Sequence, residues 1–232
     1  MSIKHNYFEI CGQITAAMQK AKRTEQVQLI AVSKTRSAEE INELFQLGQL
    51  DFGENKPQEI RDKIPLCSKQ IRWHMIGHLQ SNKLKYVVGK CHLIHSVNSI
   101  KLAEEINQYS QKLGVVTNIL LQLNIAEDEN KQGFTEEELD SALKTISEYS
   151  HIRIHGLMTI APFVENPEEN RWVFQKMRQI FVDIPSKNYD NVSMNVLSMG
   201  MSNDYAVAIE EGATHVRIGT AIFGERNYNK EI

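Results

Sequence analysis

Cysteine is scarce in this sequence: Cys11, Cys67 and Cys91 are the only three in 232 residues, far apart and without a CxxC spacing. An odd, sparse set excludes a disulfide framework and offers no zinc-ligand pattern. An excess of one charge is also missing. With 26 basic and 29 acidic residues the net charge is −3, which leaves no electrostatic footprint for nucleic acid or an anionic membrane. No apolar run approaches the length of a membrane span, and the N-terminus opens on polar residues without a signal-peptide core. There is no Pro-, Gly- or Ser-rich linker and no low-complexity tract. Motifs are equally thin, with no GxGxxG after an early strand, no HExxH or other metal-ligand motif among the scattered histidines, no GxSxG and no Cys–His constellation that reads as a nucleophile. The expectation is a soluble, cytoplasmic protein of one domain over residues 1–232, without a metal.

What is present is a regular alternation. A polar-amphipathic run from His5 to Lys22 predicts a helix ahead of the first strand, Val27–Ser33. Ser37 and Glu40 form a capping box that opens a helix ending at Gly48. Further strands are expected at Asp51–Glu54, Ile71–Ile76, His92–Val97, Thr117–Ile125, Ile152–Met158, Val192–Leu197 and Val216–Gly219. Between them lie helical stretches from about Pro57, from about Ser81, over Ser99–Leu113, Thr135–Tyr149 and Pro167–Val182, and around Asn203–Glu211. Thr135 and Glu138 repeat the capping box, and Glu136–Glu138 are first-turn charges favoured by the helix dipole. The basic piece Lys83–Lys90 is the wet face of one such helix. Eight strands, each followed by a helix-like run, predict a (β/α)8 TIM barrel with an extra N-terminal helix, and the length suits one such domain.

In such a barrel, functional groups gather at the C-terminal ends of the strands, with phosphate sites after the seventh and eighth. The polar residues at those positions are Lys34, Asn55, His74, Ser198, Arg217 and Thr220. Lys34 ends an apolar strand. In a partly dry mouth beside another cation its amine is expected to lose its proton more easily and to attack an aldehyde as a Schiff-base nucleophile; on its own it reads equally as a lysine snorkelling at the rim. Arg217 alternates with Val216 and Ile218, so it points into the barrel and needs either a carboxylate or a ligand as partner. Gly219-Thr220 and the turn Leu197-Ser-Met-Gly-Met-Ser202 can each present N–H groups and hydroxyls to an anion. His74 shares parity with Arg72 and Ile76; it faces the ligand or is a satisfied core histidine. The first and last strands are neighbours in a closed barrel, so an amine, a cation and phosphate-sized turns share one mouth. That set points to a phosphorylated aldehyde, pyridoxal 5'-phosphate (PLP). A guanidinium can only donate, so at the ring nitrogen it keeps that atom unprotonated and weakens the ring as an electron sink.

These residues carry a resemblance to a known family. Ala31-Val-Ser-Lys-Thr35, Gly53-Glu-Asn55 with Gln58-Glu59, and Trp73-His-Met-Ile-Gly77 with Leu79-Gln80 and Asn82-Lys83 form its first half. Gly156-Leu-Met158, Ser198-Met-Gly-Met-Ser202 with Asp204, and Val216-Arg-Ile-Gly-Thr220 with Phe223-Gly224 continue it to about Arg226. The chain resembles the pyridoxal phosphate homeostasis proteins, which share the barrel of the alanine racemase N-terminal domain, fold type III among PLP proteins. The resemblance implies that Lys34 holds PLP as a Schiff base, that Arg217 lies beside the pyridine nitrogen and that Asn55 is close to the ring. It implies that Ser198, Gly219 and Thr220 bind the phosphate, with Met199 in the adjoining loop. One departure is Lys56-Pro57 after Asn55, where the family has a larger aromatic or aliphatic pair. The implied role is to carry or buffer PLP and balance the vitamin B6 pool, with PLP-dependent apoenzymes or B6-pathway enzymes as partners, as a monomer and without catalysis. The rival is a PLP-dependent amino-acid racemase. It would need a second acid/base from a further β-domain, which this chain, ending soon after Gly224, is expected to lack. A PLP-free isomerase of a sugar phosphate would need a strand-end carboxylate, for which Glu54 is the nearest candidate.

Overall fold

The computed structural model describes residues 2–127, 132–184, 189 and 191–225; Arg226 lies outside them. Eight parallel strands close into a barrel in sequence order: β1 (Gln28–Val32), β2 (Asp51–Glu54), β3 (Arg72–Met75), β4 (Leu93–Val97), β5 (Thr117–Leu123), β6 (Ile152–Thr159), β7 (Val192–Met201) and β8 (His215–Ile218). β1 and β8 close it, with Gln28 opposite His215 and Ile30 opposite Arg217. Outside lie α1 (Ile3–Lys20), α2 (Ala38–Gln46), α3 (Pro57–Lys63), α4 (Ile100–Leu113), α5 (Glu136–Ile146), α6 (Arg171–Asp183), α7 (Tyr205–Glu210) and the single turn α8 (Thr220–Phe223). No helix among the described residues is long and apolar enough to cross a membrane.

Strand alternation divides the core in two. Leu29, Phe52, Trp73, Ile94, Leu121, Leu197, Met199 and Ile218 face outward and pack with Ile41, Ile60, Ile106, Leu143, Phe174 and Ala208 of the helices. The inward set is smaller and partly polar, with Leu93, Leu120 and Met158 packed against Ile160 and Val196. The expected capping boxes are present: Ser37 with Glu40 opens α2, and Thr135 with Glu138 opens α5. α1, capped by Ser2, buries Tyr7, Ile10, Ile14 and Ala17, and packs on α7 and α8.

Two elements differ from the sequence reading. The helix expected from Ser81 is a 3-10 stretch, Ser81–Tyr86. Leu84, Val87 and Val88 turn inward and Lys85 and Lys90 outward, but Gly89, at φ +73°, stops the chain before an α-helix can extend. β7 is longer than expected, running through Ser198 to Met201 instead of stopping at Leu197. Its register against β8 slips between Ser198, opposite His215, and Met201, opposite Arg217. Gly200 sits in that slip at φ +88°, a left-handed value that glycine adopts without strain. A Cβ there would lie 2.6 Å from Cβ of Ala208.

Candidate functional site

Lys34 lies just past β1, on the same side as Ile30 and Val32, so the inward face of the strand delivers its side chain to the barrel mouth. The loop that carries it is tightly held. Thr35 has φ +64°, a left-handed value costly for a β-branched residue, and its N–H donates to Oε2 of Glu59 at 2.7 Å. Lys63 lies beneath and reaches Ser33 O (2.8 Å), Glu54 Oε1 (2.8 Å) and Glu59 Oε2 (2.7 Å). Ser33 Oγ donates to the same Glu54 oxygen at 2.6 Å. Burial pushes the Glu54 carboxyl up to about 7, against the opposing pull of Lys63. Burial pushes Glu59 the same way, but hydrogen bonds from Lys63 and the Thr35 N–H prevail and hold it below its ordinary value.

Arg217 enters from β8. Only 4% exposed, it donates through Nη1 to Ser198 Oγ (2.6 Å) and through Nη2 to Thr159 O (2.8 Å). Among the described residues it makes no ion pair. Burial lowers its guanidinium to about 10, with the charge of Asp204 pulling the other way. Gly219 follows, and the absence of a side chain there lets the end of β8 lie against Val32, whose O would be 3.1 Å from a Cβ. The Gly219 N–H donates to Ser202 Oγ at 3.3 Å, and Thr220 opens α8.

These groups surround one cavity of about 260 Å³, walled by Lys34, Asn55, Arg217, Gly219 and Thr220 together with Arg36, Ile76, Ile160, Phe163, Ser202 and Asn203. A neighbouring cavity of about 400 Å³ shares Asn55, Ile76 and Ile160, and is otherwise rich in carboxamides, among them Asn98, Gln122 and Asn124. Five of the seven expected binding residues thus meet at one place. Ser198 and Met199 do not. Because β7 runs on to Met201, Ser198 is a fully buried inward residue one layer below, and Met199 points outward into the core between sheet and helices. The turn that reaches the mouth begins at Ser202. His74 is a buried core residue between Asp51 (2.9 Å) and His95 (2.9 Å).

Sequence reasoning missed Arg36, Phe163 and Asn203, and within the turn Leu197–Ser202 it singled out Ser198 where Ser202 is the residue at the mouth. Arg36 donates to Gly224 O (2.5 Å) and stacks 5.5 Å from the Phe223 ring centre, placing a second cation at the mouth. A glycine two residues before Ser202 was the available signal of a bulge. Nothing local in the sequence marks Phe163, which is 91% exposed at the rim. Among the described residues, no three metal-ligating side chains are grouped to hold an ion.

Comparisons with known proteins bear on the family and the fold. The family model for the N-terminal domain of alanine racemase matches residues 10–227. A pyridoxal phosphate homeostasis protein of Aquifex aeolicus is 42% identical, over 94% of this chain and 96% of its own. PipY of Synechococcus elongatus PCC7942, solved with PLP bound, superposes with a TM-score of 0.84 at 33% identity, covering 96% of this chain and 100% of that one. An alanine racemase of Clostridium difficile has the same fold at a TM-score of 0.72 and 14% identity, over 98% of this chain but 57% of its own.

Proposed function

Since the chain belongs to the alanine racemase N-terminal-domain family, and within it to the pyridoxal phosphate homeostasis proteins, we propose that it binds PLP at the barrel mouth, covalently through Lys34, and carries or buffers the cofactor without catalysing a reaction on it. The observation that carries this reading is the meeting of Lys34, Arg217 and the Ser202/Gly219/Thr220 turn around one cavity.

The residues fit the ligand. When bound, PLP supplies an aldehyde carbon that a primary amine attacks with loss of water. Lys34 is the amine, set at the end of β1 by the strained Thr35 and its hydrogen bond to Glu59. Arg217 keeps part of its five-donor fork beyond the two bonds to Ser198 and Thr159, and directs it at a ring nitrogen that it can only leave unprotonated. The Gly219 N–H and the hydroxyls of Ser202 and Thr220 take the phosphate, with the Arg36 charge nearby. Asn55 lies beside the ring, and Phe163 stands over the rim. Ser198 supports Arg217 from below and does not touch the phosphate. The partners are PLP-dependent apoenzymes or enzymes of the B6 pathway, and the chain acts as a single-domain cytoplasmic monomer.

The absorption spectrum of the purified protein, before and after borohydride, tests this reading. A near-visible band with added PLP, fixed by reduction onto the peptide containing Lys34 and absent from Lys34→Ala, is the expected result. A protein that stays colourless with PLP, or a reduced adduct that survives in Lys34→Ala, would overturn it.

A further inference from the structure

Beneath Arg217 the barrel interior is crossed by an unbroken run of polar side chains. At the bottom rim Asp51 accepts from Arg72 Nε (2.8 Å) and Nη2 (2.5 Å) and from Gln28 Nε2 (2.7 Å). His74 Nε2 is 2.9 Å from the same carboxylate, and His74 Nδ1 is 2.9 Å from His95 Nε2. His95 Nδ1 is 2.9 Å from Ser198 Oγ, which accepts from Arg217 at 2.6 Å. β2, β3, β4, β7 and β8 each supply at least one link. Asp51, His74, His95, Ser198 and Arg217 are all buried, and solvent reaches the run only at the bottom, where Gln28 is half-buried and the Arg72 side chain is 41% exposed.

With one proton on each imidazole, the chemistry of the two ends sets the direction of every link. Arg217 can only donate, and an ionised carboxylate can only accept. Burial raises Asp51, but its bonds to His74 and Arg72 hold it below the usual range, so His74 Nε2 carries a proton. With a single proton on the His74 ring, Nδ1 is the acceptor and His95 Nε2 the donor. A neutral His95 accepts at Nδ1 from the Ser198 hydroxyl, leaving the Ser198 lone pair for Arg217. Every donor points toward Asp51, and no group in the run is unpaired. With the His95 proton on Nδ1 instead, Ser198 would face two donors and its own proton would have no acceptor on this line. Burial, helped by the neighbouring Arg217 charge, holds His95 well below its ordinary value, which agrees with a neutral ring.

We infer that His95 is a positioning residue: acting through Ser198, it fixes the Arg217 guanidinium where it meets the ring nitrogen of the ligand. This rests on the PLP reading above and extends it from the mouth to the bottom of the barrel. An arginine held only by Thr159 O could rotate about that single bond, whereas two anchors hold its plane.

Two measurements test the proposal. Imidazole nitrogen NMR of the ligand-free protein should find His74 and His95 neutral with the proton on Nε2; a proton on Nδ1 of either ring would overturn the chain. Binding is then compared for PLP and 1-deazapyridoxal 5'-phosphate, in which CH replaces the ring nitrogen. The parent should prefer PLP. His95→Leu, and Ser198→Ala with its smaller change of volume, should cut that preference by about tenfold, the loss of one hydrogen-bonded anchor. His95→Asn, whose amide oxygen can accept in place of Nδ1, should keep it. Equal weakening of both ligands, or an asparagine variant that behaves like the leucine one, would reduce His95 to a packing residue and overturn the role. Borohydride capture on Lys34 should persist in all three variants. A parent chain that binds neither ligand would refute the PLP reading, and with it the role of His95, while the NMR tautomers would still stand as the state of the chain.

Discussion

Glu54 shows how far one residue's protonation reports on the site. Its carboxyl is wholly buried beside Lys63, and one of its oxygens, Oε2, has no hydrogen-bond partner among the described residues. Burial raises it from 4.5 in the unfolded reference to about 7 in the fold, so the folded protein binds this proton more tightly than the unfolded chain. Its contribution to stability is therefore complete below pH 4.5 and is lost as pH rises through 7. The loss is on the order of 3 kcal/mol. Asp51 and Glu59, held below their ordinary values, work in the opposite direction and lose their contribution as pH falls. Glu54→Gln separates the two effects, because the amide can still accept from Ser33 and Lys63 but does not titrate. Its unfolding free energy relative to the parent should rise across the interval from 4.5 to 7, measured by denaturant titration at several pH values. A constant difference would mean that Glu54 is ionised throughout. Thr35 gives a second expectation at this scale. Asparagine tolerates the left-handed backbone that threonine resists, so Thr35→Asn should stabilise the fold by about 1 kcal/mol in the same assay.

β7 marks the boundary of what the sequence made legible. Lys34, Asn55, Arg217 and Gly219 could be placed because regular two-residue alternation carries them to the inward face at a strand end. The same rule failed on β7, where Ser-Met-Gly-Met reads as a turn yet forms a strand with an extra residue. The local pattern therefore puts Ser198 and Met199 in a loop, whereas the bulge at Gly200 moves the exposed turn on to Ser202. Only contact with β8 and with Ala208 of α7 reveals that shift, and both lie outside any local window. Gly200→Ala should consequently lower stability by about 2 kcal/mol or more, from the left-handed φ and the clash with Ala208 together. Ser202→Ala should weaken PLP several-fold while leaving unphosphorylated pyridoxal unchanged, as titrations of both ligands would show. Equal losses for the two would remove Ser202 from the phosphate site.

At the scale of the whole molecule, the site is assembled from the two ends of the fold. Lys34 comes from β1 and Arg217 from β8, the pair that closes the barrel. α1 reinforces the same seam: the Asn6 side-chain amide donates to Ile222 O of α8 at 3.0 Å, and Tyr205 of α7 bonds to Gln13. The eightfold alternation made this closure legible, since a barrel must bring its first and last strands together, whereas the polar interior was not, because each histidine reads alone as an ordinary core residue. A ligand bonded to Lys34 and to Arg217 spans the seam, so it binds only where both strands are in place and must stabilise the closed barrel against unfolding. At a hundredfold excess over its dissociation constant PLP should add about 2.7 kcal/mol, and at about 2–4 °C per kcal/mol for a chain of this size the thermal midpoint should rise by roughly 5–10 °C. Pyridoxal, without the phosphate, should raise it less at equal concentration, and Lys34→Ala should lose most of the PLP increment while starting from a midpoint close to that of the parent. An equal rise in parent and variant would mean that the lysine adds nothing to binding, and that the phosphate turn and Arg217 hold the cofactor without a covalent link.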